Sequence, residues 1–567
     1  MTAPPASPRT TMRVARELIR RDPSAYAICW VQWVGFHTIP LLIGWAFKVV
    51  LDRISDDAAV GSPWTVLAVL GGLELGRWLL LVSAAVQWHG AFVGWQTVPR
   101  VNLLYSLTSA PGATSGRLPG SSGEAVSRFR DDTQDLAMVL DVWLDISGVA
   151  IAGGAAVVIM ATIDARVTVA VVIPVVAALT VARWLGPRLR AWRQDARRAT
   201  AEVTGFVGDS FGAVLAVKAA AAEESVSIRF REINARRAVA ARRDAVGTQL
   251  VQSLSGATGE AGVGLLLLLV APAIRAGEFT VGELGLFTSY LTVLAGLPRW
   301  AGRLGAYHRQ ADVSVARLAE LRPDGDADAV VAPVVTHLRH GPPPLAAPTP
   351  SGERLVELRV EGLTVRHGAV AAVSDVGLVV RHGELVVLTG PVGSGKSTLL
   401  RAMLGLIPSD DGCITWNGRA VEDPSSFLVP PRAAYVPQVP RLFSEPLAET
   451  VLLGWPEEDL LEALRLACLE EDIEVMPAGV RTVVGARGVR LSGGQVQRAG
   501  AARALVRRSE LLVVDDLSSA LDIETEGRLW DRLLGGGLRS ALVVSHRPHV
   551  LARADRVVVL DRGRVVG

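Results

Sequence analysis

The stretch ELVVLTGPVGSGKSTLLRAMLGL, Glu384 to Leu406, decides the fold. Its first third is apolar and β-branched, as a buried strand is, and its last third carries leucines at helical spacing. Between them GPVGSGKS, Gly390 to Ser397, brings three glycines, a lysine and a hydroxyl. A strand, a glycine loop and a helix in that order make a phosphate cradle. The glycines let backbone N–H groups turn inward, and the helix start adds its positive end. Gly390, Pro391, Val392, Gly393, Ser394 and Gly395 are expected to wrap the phosphates. Lys396 is expected to reach the β- and γ-phosphates, and Ser397 to bind Mg²⁺. The lysine is informative in itself. The chain has only Lys48, Lys218 and Lys396, and its other 55 basic residues are arginine. A planar guanidinium does not replace a compact ammonium at such a loop.

Around this stretch, β-rich runs such as RLVELRVEGLTVR alternate with helical ones, the sign of an α/β domain with a largely parallel sheet. LSGGQVQR, Leu491 to Arg498, sets Ser492, Gly493 and Gly494 before a helix, a second anion-binding helix start. LLVVDDLSSALD, Leu511 to Asp522, is an apolar strand ending in the paired acids Asp515 and Asp516. A lone histidine after an apolar strand, such as His546 in ALVVSHRPHVL, is ordinarily a cap or core residue.

Before residue 320 the pattern changes. Six apolar stretches, near 25–51, 63–88, 137–163, 166–187, 250–275 and 280–302, are each long enough to cross ~30 Å of hydrocarbon as a helix. The connections at 52–62, 164–165 and 276–279 are short, and the first is rich in acid (Asp52, Asp56, Asp57). Those at 89–136 and 188–249 are long, and the second is dense in arginine. By the positive-inside rule the long loops and both termini face the cytoplasm. The N-terminal MTAPPASPRTTMRVARELIRRDP lacks an apolar core with a cleavage site, so it reads as a tail and amphipathic helix over residues 1–24 rather than a signal peptide. Residues 323–351, rich in Pro, Ala and Gly, read as a linker. The domain plan is thus a membrane domain over 25–322, a linker over 323–351 and an α/β domain over 352–567.

Composition agrees. Of 567 residues half are hydrophobic and a fifth charged, mean hydropathy is +0.34, and net charge is +2. That is apolar for a soluble protein and gives no reason to expect nucleic acid. Cys29, Cys413 and Cys468 lie far apart, with no disulfide framework and no metal-ligand spacing.

With these motifs together, the chain resembles an ABC transporter half-molecule over about residues 12–567. The resemblance implies an all-α, six-helix transmembrane domain of exporter type followed by an α/β P-loop ATPase domain. It implies ATP and Mg²⁺, a lipid bilayer at the plasma membrane, and a second half-transporter as partner. Gly390–Thr398 corresponds to the Walker A loop and Leu491–Gln495 (Leu491, Ser492, Gly493, Gly494, Gln495) to the signature. By the same resemblance, Asp515 would end Walker B and hold Mg²⁺ through water. Gln438, in AAYVPQVPRLF, is the residue that senses Mg²⁺. Ser519–Asp522, with Asp522, is the D-loop. His546 is the switch histidine. Segments Gly123–Leu136 and Gly205–Phe230 resemble those carrying coupling helices.

Three positions depart from the family. His367, in LTVRHG, stands where an aromatic ring usually stacks on adenine. Ala486, in VGARG, stands where an acid is usual. Asp516 stands where Glu usually orients the attacking water. An Asp carboxylate falls roughly 1–1.5 Å short of a Glu carboxylate, and a misplacement on that scale costs about 10²-fold in rate. With an intact signature and a short Walker B acid, the chain resembles the weak-site subunit of a heterodimeric exporter. A homodimer is the alternative, and a metal-chelate importer or an ATP-binding regulatory subunit are alternative functions. Cargo (small molecule, lipid or peptide) is not legible. Gln32, His37, Lys48, Glu74, Arg77 and Glu260 lie in or beside spans, where polar residues are functional candidates. Glu74 and Arg77, three apart, share a face and can pair.

Overall fold

A computed structural model of the chain describes residues 7–55, 63–109, 122–322, 324–338, 341, 353–368, 370–485, 488–517, 521–535 and 540–567. The described residues of Met1–Leu103 and Pro119–Thr336 form one compact unit, and those of Leu104–Leu118 and His337–Gly567 another.

The first unit is helical: α1 (Pro8–Arg21), α2 (Pro23–Ser55), α3 (Pro63–Ser109), α4 (Ser122–Ser127), α5 (Thr133–Ile163), α6 (Ala165–Gly212), α7 (Val214–Ala219), α8 (Glu223–Arg275), α9 (Val281–Ala295) and α10 (Leu297–Glu320). All six apolar stretches lie on these helices. α3, α6 and α8 run well beyond theirs; for α6 and α8 the flanking polar sequence is rich in alanine and arginine, both good helix formers. The stretch at 280–302 is divided at Gly296. Pro298, in the first turn of α10, has no N–H to carry the helical ladder across the break. By length and apolarity, four segments among the described residues qualify to cross a membrane: Pro23–Ser55, Leu67–Ser109, Gly123–Ile163 and Val281–Glu320. The stretches 166–187 and 250–275 sit on α6 and α8.

Local chemistry sets the helix starts. Pro8, Pro23 and Pro63 stand where a missing N–H costs nothing. The Asp164 carboxylate accepts from Arg166 N (2.8 Å) and Val167 N (3.0 Å), turning α5 into α6 without a loop. Thr280 and Glu283 form a capping box at α9. Ala152, Ala156, Leu266, Phe287 and Leu291 lie in one buried cluster. The expected pair forms, with Arg77 3.8 Å from Glu74; Lys48 Nζ donates to Asp52 (2.8 Å) and lies 3.7 Å from Glu283, partners not read from the sequence. Gln32 donates to Ser83 Oγ at 3.0 Å, and Glu260 is exposed.

Residues 324–336, read above as linker, are packed. Val330 and Val331 are buried, and Asn102 donates to the carbonyls of Val330 (3.0 Å) and Ala332 (2.8 Å). Arg13 of α1 pairs with Asp328 at 2.8 Å. The run AVVAPVV, residues 329–335, has no period that separates the buried Val330 and Val331 from the exposed Val335, so it does not mark a packed turn. Residues 342–351 of that linker lie outside the described residues.

The second unit continues β1 (Glu357–His367), β2 (Val370–Arg381), β3 (Leu385–Thr389), α11 (Lys396–Met403), β4 (Asp411–Trp416), β5 (Arg419–Ala420), α12 (Pro424–Phe427), β6 (Ala433–Val436), α13 (Leu447–Leu452), α14 (Leu460–Leu466), α15 (Glu470–Glu474), α16 (Gly493–Leu505), β7 (Leu511–Asp515), α17 (Ile523–Gly535), β8 (Ala541–Val544), α18 (Pro548–Leu551), β9 (Arg556–Asp561) and β10 (Arg564–Val565). The larger sheet has the order β10-β9-β3-β8-β7-β6, parallel from β9 to β6. β7 and β8 are buried along their whole length, which explains their unbroken apolar runs. A second, antiparallel sheet has the order β2-β1-β4-β5. Parallel strands end together, so the C-terminal ends of β3, β7 and β8 form one edge, where open α/β sheets bind ligands.

Candidate functional site

The loop after β3 folds as its glycines require. Gly390 has φ +137° and Gly395 φ +101°, the region L side chains avoid. A Cβ on Gly390 would lie 1.9 Å from the Leu560 carbonyl oxygen, and one on Gly395 2.3 Å from that of Ala372. Both positions are closed to any side chain. Val392 at the tip is almost fully exposed, whereas Ser394 is buried. Lys396 begins α11 and turns back: its Nζ donates to the carbonyls of Gly390 and Pro391, each at 2.8 Å. Burial lowers the pKa of this ammonium, and Asp515 and Asp516 oppose that shift. An ammonium held by two carbonyls and, at 3.4 Å, the Ser394 hydroxyl meets no anion among these partners, and phosphate is a better acceptor.

Asp515, the last residue of β7, is wholly buried. Ser397 Oγ donates to its Oδ1 at 2.8 Å and Tyr435 OH to its Oδ2 at 3.3 Å, while Arg401 lies 3.8 Å away. A hydroxyl and a buried carboxylate converging beside a phosphate loop are the oxygen donors a hard cation takes. These residues fit Mg²⁺.

Asp516 follows in the left-handed region (φ +51°), its N–H bonded to the Val544 carbonyl at 3.2 Å. Gln438 Nε2 donates to Asp516 Oδ2 at 3.4 Å, and Gln497 donates to the Gln438 carbonyl at 3.2 Å. His546, just beyond β8, has Nδ1 3.3 Å from Thr389 Oγ1. The structure thus gathers Lys396, Ser397, Asp515, Asp516, Gln438 and His546 at one sheet edge.

Other candidates stand elsewhere. His367 is exposed at the end of β1. Ser492 caps α16 in a capping box with Gln495, and Gln495 also donates to Asp472 Oδ1 at 2.7 Å. Leu491 packs on the core, and Gly493 and Gly494 open the helix. Asp522 caps α17 through Thr525 N at 2.9 Å, which holds its carboxyl below the usual range. Ala486 and Ser519 lie outside the described residues, as do Asp56 and Asp57. Tyr435, Thr389 and Asp472 are the residues sequence reasoning missed. Nothing in their local pattern marks them: the sheet order brings Tyr435 and Thr389 to the edge, and packing of α15 on α16 brings Asp472 to Gln495.

The comparisons with known proteins agree with this geometry. Residues 37–297 match the ABC transporter transmembrane region and residues 373–519 the ABC transporter family. Relatives in Staphylococcus aureus, strains NCTC 8325 and COL, that carry the name multidrug export ATP-binding/permease protein are 27% identical over 552 residues, 93% of this chain and 91% of theirs. A solved bacterial Atm1-family ABC exporter with ATP bound shares the fold at TM-score 0.71 and 22% identity, over 97% of this chain and 95% of that one. The chain belongs to the ABC transporters, as an exporter-type half-transporter whose transmembrane region and ATP-hydrolysing domain are fused in one polypeptide.

Proposed function

We propose that the chain is one half of a heterodimeric exporter of the plasma membrane, and that ATP is hydrolysed mainly at the site built on the partner's Walker motifs. In this reading residues 25–322 form the membrane domain and 352–567, on the cytoplasmic side, the ATPase domain. The loop Gly390–Thr398 binds ATP, with Lys396 on its terminal phosphates. Ser397, Asp515 and Gln438 hold Mg²⁺, which neutralises phosphate charge. His367 lies against the base, His546 serves the γ-phosphate, and Leu491–Gln495 with Asp522 close on the partner's nucleotide. The name of the staphylococcal relatives supports export as the direction.

The observation that carries the weak-site reading is Asp516. Its short side chain follows the Mg²⁺ residue and already meets Gln438. Phosphoryl transfer is catalysed mostly by position and charge, so a carboxylate that stops short of the water line slows the step. The test is single-turnover ATP hydrolysis by the assembled transporter with the partner's site disabled. Asp516→Glu raises the rate by about tenfold to a hundredfold; an unchanged rate sinks the weak-site reading. A chain that purifies as a homodimer with the ATPase rate of a Glu-bearing exporter sinks the heterodimer.

A further inference from the structure

Within the helical unit, a cavity of about 530 Å³ lies among α2, α3, α5, α9 and α10. A second, of about 640 Å³, adjoins it and shares Ile43, Glu74, Ser289 and Thr292. Together they form one slot of small-molecule size with two kinds of wall. One end is apolar, lined by Phe47, Leu51, Leu70 and Leu284. The other holds Arg77, Arg299, His37 and Trp300.

The wall at that end carries two guanidinium groups and one carboxylate. Glu74 lies 3.8 Å from Arg77, close enough for an ion pair but beyond hydrogen-bond length. Arg77 Nε is buried without an acceptor, and its guanidinium stacks 4.7 Å over Phe36. His37 Nε2 is engaged with Asp145 at 3.0 Å. Gly148 makes room for that ring, since a Cβ there would lie 2.8 Å from His37 Cδ2. Among the described residues, Arg299 has no carboxylate within ion-pair distance. Arg303 lies nearby, 4.7 Å over Trp300. With Glu74 set against Arg77, the Arg299 guanidinium is left on the wall without a carboxylate of its own, beside an Arg77 Nε that bonds to nothing. Leaving the buried Arg77 Nε unsatisfied is costly.

We propose that this slot binds an amphipathic anion: a carboxylate or phosphate head between Arg77 and Arg299, with its hydrocarbon tail toward Phe47 and Leu51. Two arginine forks suit an anionic oxygen pair, whereas an organic cation would meet the surplus guanidinium. The proposal deepens the export reading by giving the class of cargo, and rests on it.

The test is equilibrium binding to the full-length chain in nanodiscs of zwitterionic lipid, without ATP. The probes are dodecyl phosphate, dodecyltrimethylammonium and dodecyl maltoside, which share one tail. Dodecyl phosphate binds more tightly than the other two by about tenfold or more. Arg77→Gln with Arg299→Gln removes that preference, and Arg299→Lys keeps most of it. Equal binding of the three probes by the unmodified chain overturns the proposal with no variant needed. An undiminished phosphate preference in the double variant does the same. Nanodiscs doped with phosphatidylglycerol separate the sources: competition with dodecyl phosphate marks a lipid head as occupant, and no competition a soluble anion. ATP binding by the same preparation reports on the transport reading separately. Normal ATP binding without head-group selectivity refutes the slot and leaves that reading standing.

Discussion

Ser397, half-buried, donates to Oδ1 of the wholly buried Asp515 at 2.8 Å. Removing that hydroxyl has two separable effects. The carboxylate loses a donor, which costs about 1–3 kcal/mol when the site is buried; Tyr435 still bonds the other oxygen. The proposed cation loses an oxygen ligand as well. Ser397→Ala therefore binds ATP in the presence of EDTA much as the unmodified chain does, but Mg²⁺ tightens its binding about tenfold less or weaker still. Nucleotide titrations with and without Mg²⁺ check this, and an unchanged Mg²⁺ effect removes Ser397 from the metal site. Asp516 is the neighbouring case in which residue identity alone raises the question. One methylene is legible in the sequence, and the left-handed φ and the Gln438 contact are not.

At the scale of elements, α16 shows why part of the site escaped the sequence. Its capping box, Ser492 with Gln495, is readable from spacing. What anchors it is not: Asp472, on α15, accepts from Gln495 at 2.7 Å and pairs with Arg498 at 2.5 Å. A single acid thus ties the start of the signature helix to a helix some 20 residues earlier, through side chains with no shared period. Asp472→Ala leaves Arg498 uncompensated in a mostly buried position and lowers stability by about 3 kcal/mol; Asp472→Asn keeps an acceptor for Gln495 and loses less. Thermal melts of the purified chain order the three as unmodified, Asn, Ala, and an Ala variant equal to the parent refutes the anchor. The long strands and spans were legible for the opposite reason. β3, β7 and β8 are buried on both faces, and membrane helices are apolar all round, so each leaves a continuous run. The antiparallel sheet β2-β1-β4-β5 was not separated from the parallel one, because short alternating strands do not state their partners. That α3, α6 and α8 run on past their apolar stretches was legible in the helical look of the long loops, whereas composition marks where a helix meets lipid and not where it stops.

At the scale of the whole molecule, the fused chain carries one phosphate loop and one signature, and in the proposed dimer these serve different nucleotides. That separation makes heterodimer and homodimer distinguishable by mutation. Lys396→Ala removes the ammonium that would hold the nucleotide of this chain's own loop. Ser492→Arg leaves that loop intact and fills the helix start that would close on the partner's nucleotide. If the partner's site does most of the hydrolysis, Ser492→Arg lowers steady-state ATPase activity by about a hundredfold or more, the scale on which removing one preorganised donor acts. Lys396→Ala then leaves much of that activity while abolishing nucleotide labelling of this chain. A homodimer predicts something else, since each substitution enters both sites: both variants lose nearly all activity. Measuring the two side by side in proteoliposomes, with photoaffinity labelling to read which chain holds nucleotide, decides between them. Equal and complete loss in both variants overturns the unequal sites. The asymmetric result assigns the slow site to the chain with Asp516 and the fast one to the chain that Ser492 faces.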